Sequence, residues 1–260
     1  MNNEGEKVLL MTPNKKTARF AGLMFLLMVV FGLFAEVFFR QAFFIVDDAA
    51  ATAANIAANS TLYRAGIVSD IVMSLSYLFT ALVLYKLLVS VNRDMASLMV
   101  LFAAAGSVLL LSNVLNEFAP LYLIGAGDQL SGLTSAQLQS LALLSYAAHG
   151  HGYAIGQVFF ALWVLPLGVL IYRSRFIPRA FGILFVVQAV CGLLSVLVHF
   201  LIPIALVETI LLLPGIIAEF SFMFWLLIWG IKESGVAGLV GLDSHGAHAN
   251  DKCGVAEGGA

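Results

Sequence analysis

Charge is what this chain has least of. Only 11% of its 260 residues are Asp, Glu, Lys or Arg, while 61% are hydrophobic. A soluble domain carries about 25% charged residues. So little charge cannot coat a globule of this length, and lipid is the solvent the chain is built for. The formal net charge of −2 gives no basic surface, which excludes a nucleic-acid partner. Cysteine is also scarce. Cys191 lies in an apolar run and Cys253 near the C-terminus, so neither a disulfide framework nor metal-ligand spacing is available. The chain contains no HExxH, no GxSxG, no phosphate-binding glycine loop and no deep lysine for a retinal Schiff base. The enzyme classes marked by those motifs are excluded with them.

Apolar length is what is present. A hydrocarbon core of ~30 Å needs about 20 residues of helix. Six stretches qualify, roughly 18–39, 65–90, 96–119, 146–172, 180–203 and 207–231, in a chain of mean hydropathy +0.99. The first is too long for a signal peptide, and FFRQAFF follows it where cleavage requires small residues. The chain reads as all-α, a polytopic membrane protein with six transmembrane helices whose partner is the lipid bilayer.

Basic residues set its orientation. With the N-terminus inside, Lys7, Lys15, Lys16, Arg19, Lys86, Arg93, Arg173, Arg175, Arg179, Lys232 and Lys252 all fall inside, and only Arg40 and Arg64 outside. Both termini are expected to be cytoplasmic and the membrane to be the inner (plasma) membrane. Residues 1–17 and 233–260 are expected to be disordered flanks of one transmembrane domain, 18–232, with His245 and His248 as solvent-exposed spectators in the tail. The outer segment DDAAATAANIAANSTLYR (47–64) opens with two aspartates before an alanine run, the pattern of a short surface helix. GAGDQLSGLTSAQLQS (125–140) reads as an outer loop. LLLSNVLNEF (109–118) and LLLPGIIAEF (211–220) share five of ten positions. Three of the five are leucines, so the match weighs little toward an inverted repeat.

Within this topology every intramembrane polar residue acquires a depth. Glu36, Asp70, Asn113, Asn116, Glu117, His149, His151 and His199 gather in the outer part of their helices. Glu219 lies twelve residues into the last span, ~18 Å along a helix and near mid-membrane. Charged residues at such depth usually face a bundle interior. The pattern predicts a polar cavity opening outward with Glu219 at its floor, beneath a helix break at Pro214-Gly215. A carboxylate there suits proton coupling or cation binding. The plainer alternatives are an interfacial Glu36–Arg40 salt bridge and helix-end histidines serving as headgroup anchors. His149 and His151 are two apart, so on a helix they diverge by about 200° and cannot both reach one ligand. Ala148, Gly152 and Gly156 form a small-residue face for close helix contact. Three functions stay open: a small transporter or ligand-binding membrane protein, a membrane-embedded enzyme, or a structural protein whose polar residues only hold helices together. The enzyme would use zinc, iron, or a haem between His199 and His149 or His151. No motif specifies a cofactor or a small-molecule ligand.

ARFAGLMFLLMVVFGLFAEVFFR, DDAAATAANIAANSTLYRAGIVSDIV, LYKLLVSVN and HGHGYAIGQVFFALWVLPLGVLIYRSRFIPRAFGILF, taken together, resemble a bacterial membrane family, domain of unknown function number 4386. The resemblance covers about residues 16–232. It carries over Arg19, Gly22, Glu36, Asp48, Thr52, Asn55, Arg64, Tyr85, Asn92, His149, Phe160, Gly168, Ser174, Pro178 and Gly182. It implies a six-helix integral membrane protein and no established activity.

Overall fold

The structure, a computed structural model, describes residues 14–125, 130–202 and 204–232. His245, His248 and most of both expected flanks lie outside the described residues. The described residues form α1 (Lys15–Phe43), α2 (Ala49–Ala58), α3 (Ser60–Leu88), α4 (Arg93–Gly125), α5 (Ser135–Ser174), α6 (Arg179–Leu201) and α7 (Ala205–Ile228). All but α2 are long and apolar enough to cross a membrane.

Local chemistry sets the helix ends. Asn14 caps α1 by accepting the Thr17 N–H at 2.8 Å, so Lys15 to Thr17, expected in a disordered flank, are helical. α2 is the expected short helix, and the Asp48 carboxylate at its start accepts the Ala51 N–H at 2.8 Å. Much of the expected loop 125–140 is helix instead. Thr134 and Gln137 form a reciprocal capping box that starts α5 at Ser135. α5 therefore has 40 residues and α4 has 33, or ~60 and ~50 Å, well beyond a ~30 Å hydrocarbon core. α2 packs across this helical pair.

The six long helices pack in chain order, α1 on α3, α3 on α4, α4 on α5, α5 on α6 and α6 on α7, and α7 closes back onto α1. Tyr77, Trp163, Phe185 and Phe222 are fully buried in the core of this ring. Small residues set how closely neighbours approach. A Cβ on Gly22 of α1 would lie 3.0 Å from Leu226 and Leu227 of α7, and the Phe25 and Phe222 rings meet edge to face at 6.3 Å. A Cβ on Gly182 of α6 would lie 2.7 Å from the Gly168 carbonyl of α5. The expected small-residue face is realised at Gly152 and Gly156 of α5, which pack on Asn113 and on Leu109 and Leu110 of α4.

One end of the ring is basic. There Arg19 donates to the Ile228 carbonyl, and the Lys232 N–H donates to the Phe176 carbonyl at 2.9 Å. If this end faces the cytoplasm, as the basic asymmetry predicts, single cysteines at Asp94 or Ala180 should resist impermeant thiol reagents added outside. Cysteines at Asn59 or Gly132 should react. The background lacks Cys191 and Cys253, and the opposite labelling pattern would invert the orientation.

Candidate functional site: a buried ion network beside an intramembrane cavity

From Phe34 to Arg40 α1 is π-helical before it returns to α-geometry. The wider turn alters which way its side chains face, and such insertions cluster at functional sites. Here Arg40, which the sequence places at the outer end of the first span, is turned inward and is only 8% exposed. Its Nε–H donates to Glu36 Oε2 at 2.8 Å on the same helix. Its Nη1 donates to Asp70 Oδ2 of α3 at 2.6 Å and to Glu117 Oε1 of α4 at 2.9 Å. His149 of α5 brings Nε2 to 3.2 Å from that same Glu117 oxygen. One guanidinium therefore ties together three helices, and Glu117 extends the network to a fourth through His149.

Further bonds hold these groups in place. Asn113 Nδ2 donates to the His149 carbonyl at 2.9 Å and lies 3.2 Å from its Nδ1, and the Tyr63 hydroxyl donates to the Glu117 carbonyl at 2.8 Å. Asn116 donates to Asn113 Oδ1 at 2.9 Å. An aromatic shell of Phe39, Phe43, Phe44, Tyr63 and Tyr146 packs beside the network, with Phe44 and Tyr146 stacked at 3.5 Å. Three carboxylates face one guanidinium. Asp70 Oδ1 and Glu117 Oε2 are buried with no hydrogen-bond partner among the described residues. In a low-dielectric setting such an excess of acidic groups makes the local field negative.

Arg40 and Glu36 also border a cavity of about 370 Å³ between α1, α5, α6 and α7, with Met73 of α3 in its wall. Its walls are mostly apolar, with Met28, Leu33, Phe160, Leu212, Ile216 and Phe220 among them. Glu219 lies at its far end from Arg40 and accepts a hydrogen bond from Gln188 Nε2 at 2.5 Å. Gly215 makes room for that amide, since a Cβ there would lie 3.2 Å from Gln188 Nε2. α7 runs unbroken through Pro214 and Gly215, so the expected helix break is absent; the glycine provides clearance instead. The exposed lining residues are Leu33 and Glu36 of α1 and Leu212 and Ile216 of α7. These exposed lining residues lie on α1 and α7, the two helices whose contact closes the ring.

The candidate residues divide into three groups. Glu36, Asp70, Asn113, Glu117 and His149 form the network, and Glu36 also reaches the cavity. Glu219 belongs to the cavity alone. His151 and His199 form a separate pair with ring nitrogens 3.2 Å apart, and His199 Nδ1 lies 3.1 Å from Glu208 Oε2. His149 and His151 diverge as their spacing requires. Asp70 takes its partner from Arg40, and Arg64 is exposed. The His151 and His199 rings meet edge to face at 5.4 Å. Among the described residues no three His, Cys, Asp or Glu side chains are placed to hold a metal ion. Arg40, Gln188 and Glu208 were absent from the sequence-derived set. For Arg40 the available signal was the aromatic pairs flanking it in FFRQAFF, which suit burial.

The class is now defined: an integral, multi-pass α-helical membrane protein with a buried ion network beside an intramembrane cavity. The chain belongs to the family described as Domain of unknown function (DUF4386), whose pattern matches residues 20–230. No curated protein and no solved structure matches it. Several positions carried over from the family resemblance are anchors. Thr52 Oγ1 accepts the Ile45 N–H at 3.0 Å, Asn55 donates to the Phe43 carbonyl at 3.3 Å, and Asn92 Oδ1 caps the Met95 N–H at 2.9 Å. Glu36 and His149 alone of those positions enter the network.

Proposed function

We propose that this protein binds a small molecule within the bilayer, in the cavity between α1, α5, α6 and α7, and serves as its receptor or carrier. The cavity carries this reading. Its volume of about 370 Å³ falls within the usual ligand-pocket range of about 300–1,000 Å³. Like such pockets, it has chiefly apolar walls and a few convergent polar groups, here Glu36, Arg40, Gln157, Gln188 and Glu219. A protein whose polar residues served only to join helices would fill such a space with side chains, as interiors are close-packed. The basic end is taken as the cytoplasmic face of the inner membrane, in keeping with the charge asymmetry.

Gly32 offers a direct test. It lines the cavity, and a Cβ there would contact only Met73 Cγ, at 3.4 Å. Gly32→Leu should fill the space while raising helix propensity by up to about 1 kcal/mol. Native mass spectrometry of wild-type protein released from lipid nanodiscs should show a retained small molecule. The variant should lose that molecule and melt at the same or a higher temperature. An empty wild type, or equal retention by both proteins, overturns the reading.

A further inference from the structure

The polar groups on the cavity point to one ligand chemistry. Among the described residues that line it Arg40 is the sole cation, and its Nε and Nη1 are engaged by Glu36, Asp70 and Glu117. Two carboxylates, Glu36 and Glu219, border the cavity, with Asp70 and Glu117 behind Arg40. An anionic ligand would enter a field already negative and meet a guanidinium already matched. Away from Arg40, Glu219 Oε1 is held by Gln188 Nε2, and Gln188 Oε1 is buried without a partner among the described residues. A carboxylate and an unfilled carbonyl side by side call for a donor. Phe160, Phe220 and Tyr153 line the same space, and aromatic faces attract a desolvated cation.

The entrance narrows the class further. Of the four exposed rim residues on α1 and α7, Leu33, Leu212 and Ile216 are apolar and Glu36 is acidic, so the rim suits a ligand with an apolar body and a head that a carboxylate attracts. We infer that the ligand is a cationic amphiphile, an ammonium head on an apolar chain, that enters from the bilayer between α1 and α7 and seats its nitrogen against Glu219 and Gln188. This inference rests on the cavity being a ligand site and adds the head group, the anchoring residue and the route. Glu219 lies ten residues before Trp229 near the basic end, ~15 Å into the span. A carboxylate that deep is costly alone and is offset by a bound cation.

The experiment uses two photoreactive probes, dodecylammonium and dodecanoate, each with the same chain diazirine, on the full chain in phosphatidylcholine nanodiscs. Adducts are mapped by mass spectrometry. The ammonium probe should label residues 28–33 and 211–220, and unlabelled dodecylammonium should compete while dodecanoate does not. Glu219→Gln should reduce labelling by about tenfold or more, the value of a hydrogen bond to a charged group. Its folding is checked by its melting curve and elution volume. Equal labelling by both probes, or equal competition on the wild type, overturns the cationic head even if the variant does not fold. Undiminished labelling of a folded Glu219→Gln overturns the anchor. No cavity labelling by either probe, or labelling that survives Gly32→Leu, overturns the ligand site itself.

Discussion

Arg40→Met should be among the most damaging single substitutions in this protein, lowering stability by about 3–5 kcal/mol, the usual cost of removing one partner from a buried ion pair. The reason lies in what stays behind. Glu36, Asp70 and Glu117 each accept a hydrogen bond from this one side chain, and without it three carboxylates face one another with Asp70 and Glu117 deeply buried. Arg40→Lys should retain part of the stability. An ammonium supplies charge, but it lacks the planar fork through which Nε and Nη1 serve separate partners. The triple variant Arg40→Met, Asp70→Asn, Glu117→Gln should recover much of the loss, since neutral amides no longer repel and still donate and accept. Thermal unfolding in a mild detergent provides the measurement. An Arg40→Met protein that melts with the wild type would mean the network contributes nothing to folding.

The second large effect is expected where α5 crosses α6. In a membrane, helices associate through close packing rather than a hydrophobic drive, and small residues permit the approach. A Cβ on Gly182 would lie 2.7 Å from both the Gly168 carbonyl and the Tyr172 amide nitrogen, and one on Gly168 would lie 2.8 Å from the Gly182 carbonyl. These are backbone atoms, and no side-chain rotation relieves the clash. Gly182→Ala should cost about 1–3 kcal/mol as an overpacked contact. Gly182→Leu should prevent folded protein from accumulating. Gly150→Ala is the control. Nothing lies within 4 Å of its Cβ position, so alanine should be neutral or mildly stabilising there. A Gly182→Ala variant as stable as Gly150→Ala would show that the two helices can separate without loss.

How much of this was readable beforehand differs from residue to residue. Asp70, Glu117 and Glu219 stand out because a polar group at depth in an apolar helix is costly and needs a reason. The divergence of His149 and His151 follows from helix geometry alone. The start of α5 was also legible: Thr134 with Gln137 three residues later is a capping-box signature. The residues beyond it are too polar to extend an apolar span, so span length alone starts this helix near residue 146. Arg40 was misplaced for a different reason. It follows the apolar run of the first span, where a basic residue ordinarily meets headgroups. Only the π-helical stretch and the acidic groups of α3 and α4 draw it inward. The match between 109–118 and 211–220 aligns Glu117 with Glu219, yet one accepts from Arg40 in the network and the other from Gln188 across a cavity.

The sequence by itself determined that the chain lives in lipid and that six helices are available to cross it, because solvent and span length are imposed locally, residue by residue, through hydropathy and the 1.5 Å rise. It also determined which polar residues needed an explanation. The tertiary structure decided their partners and where the cavity lies. Those depend on distances between helices far apart in the chain: Arg40 meets Asp70 and Glu117 across 30 and 77 residues, and Gln188 meets Glu219 across 31. Periodicity shows which face of a helix is polar. Which neighbour that face meets is set by how six helices close into a ring, and that is a property of their packing together.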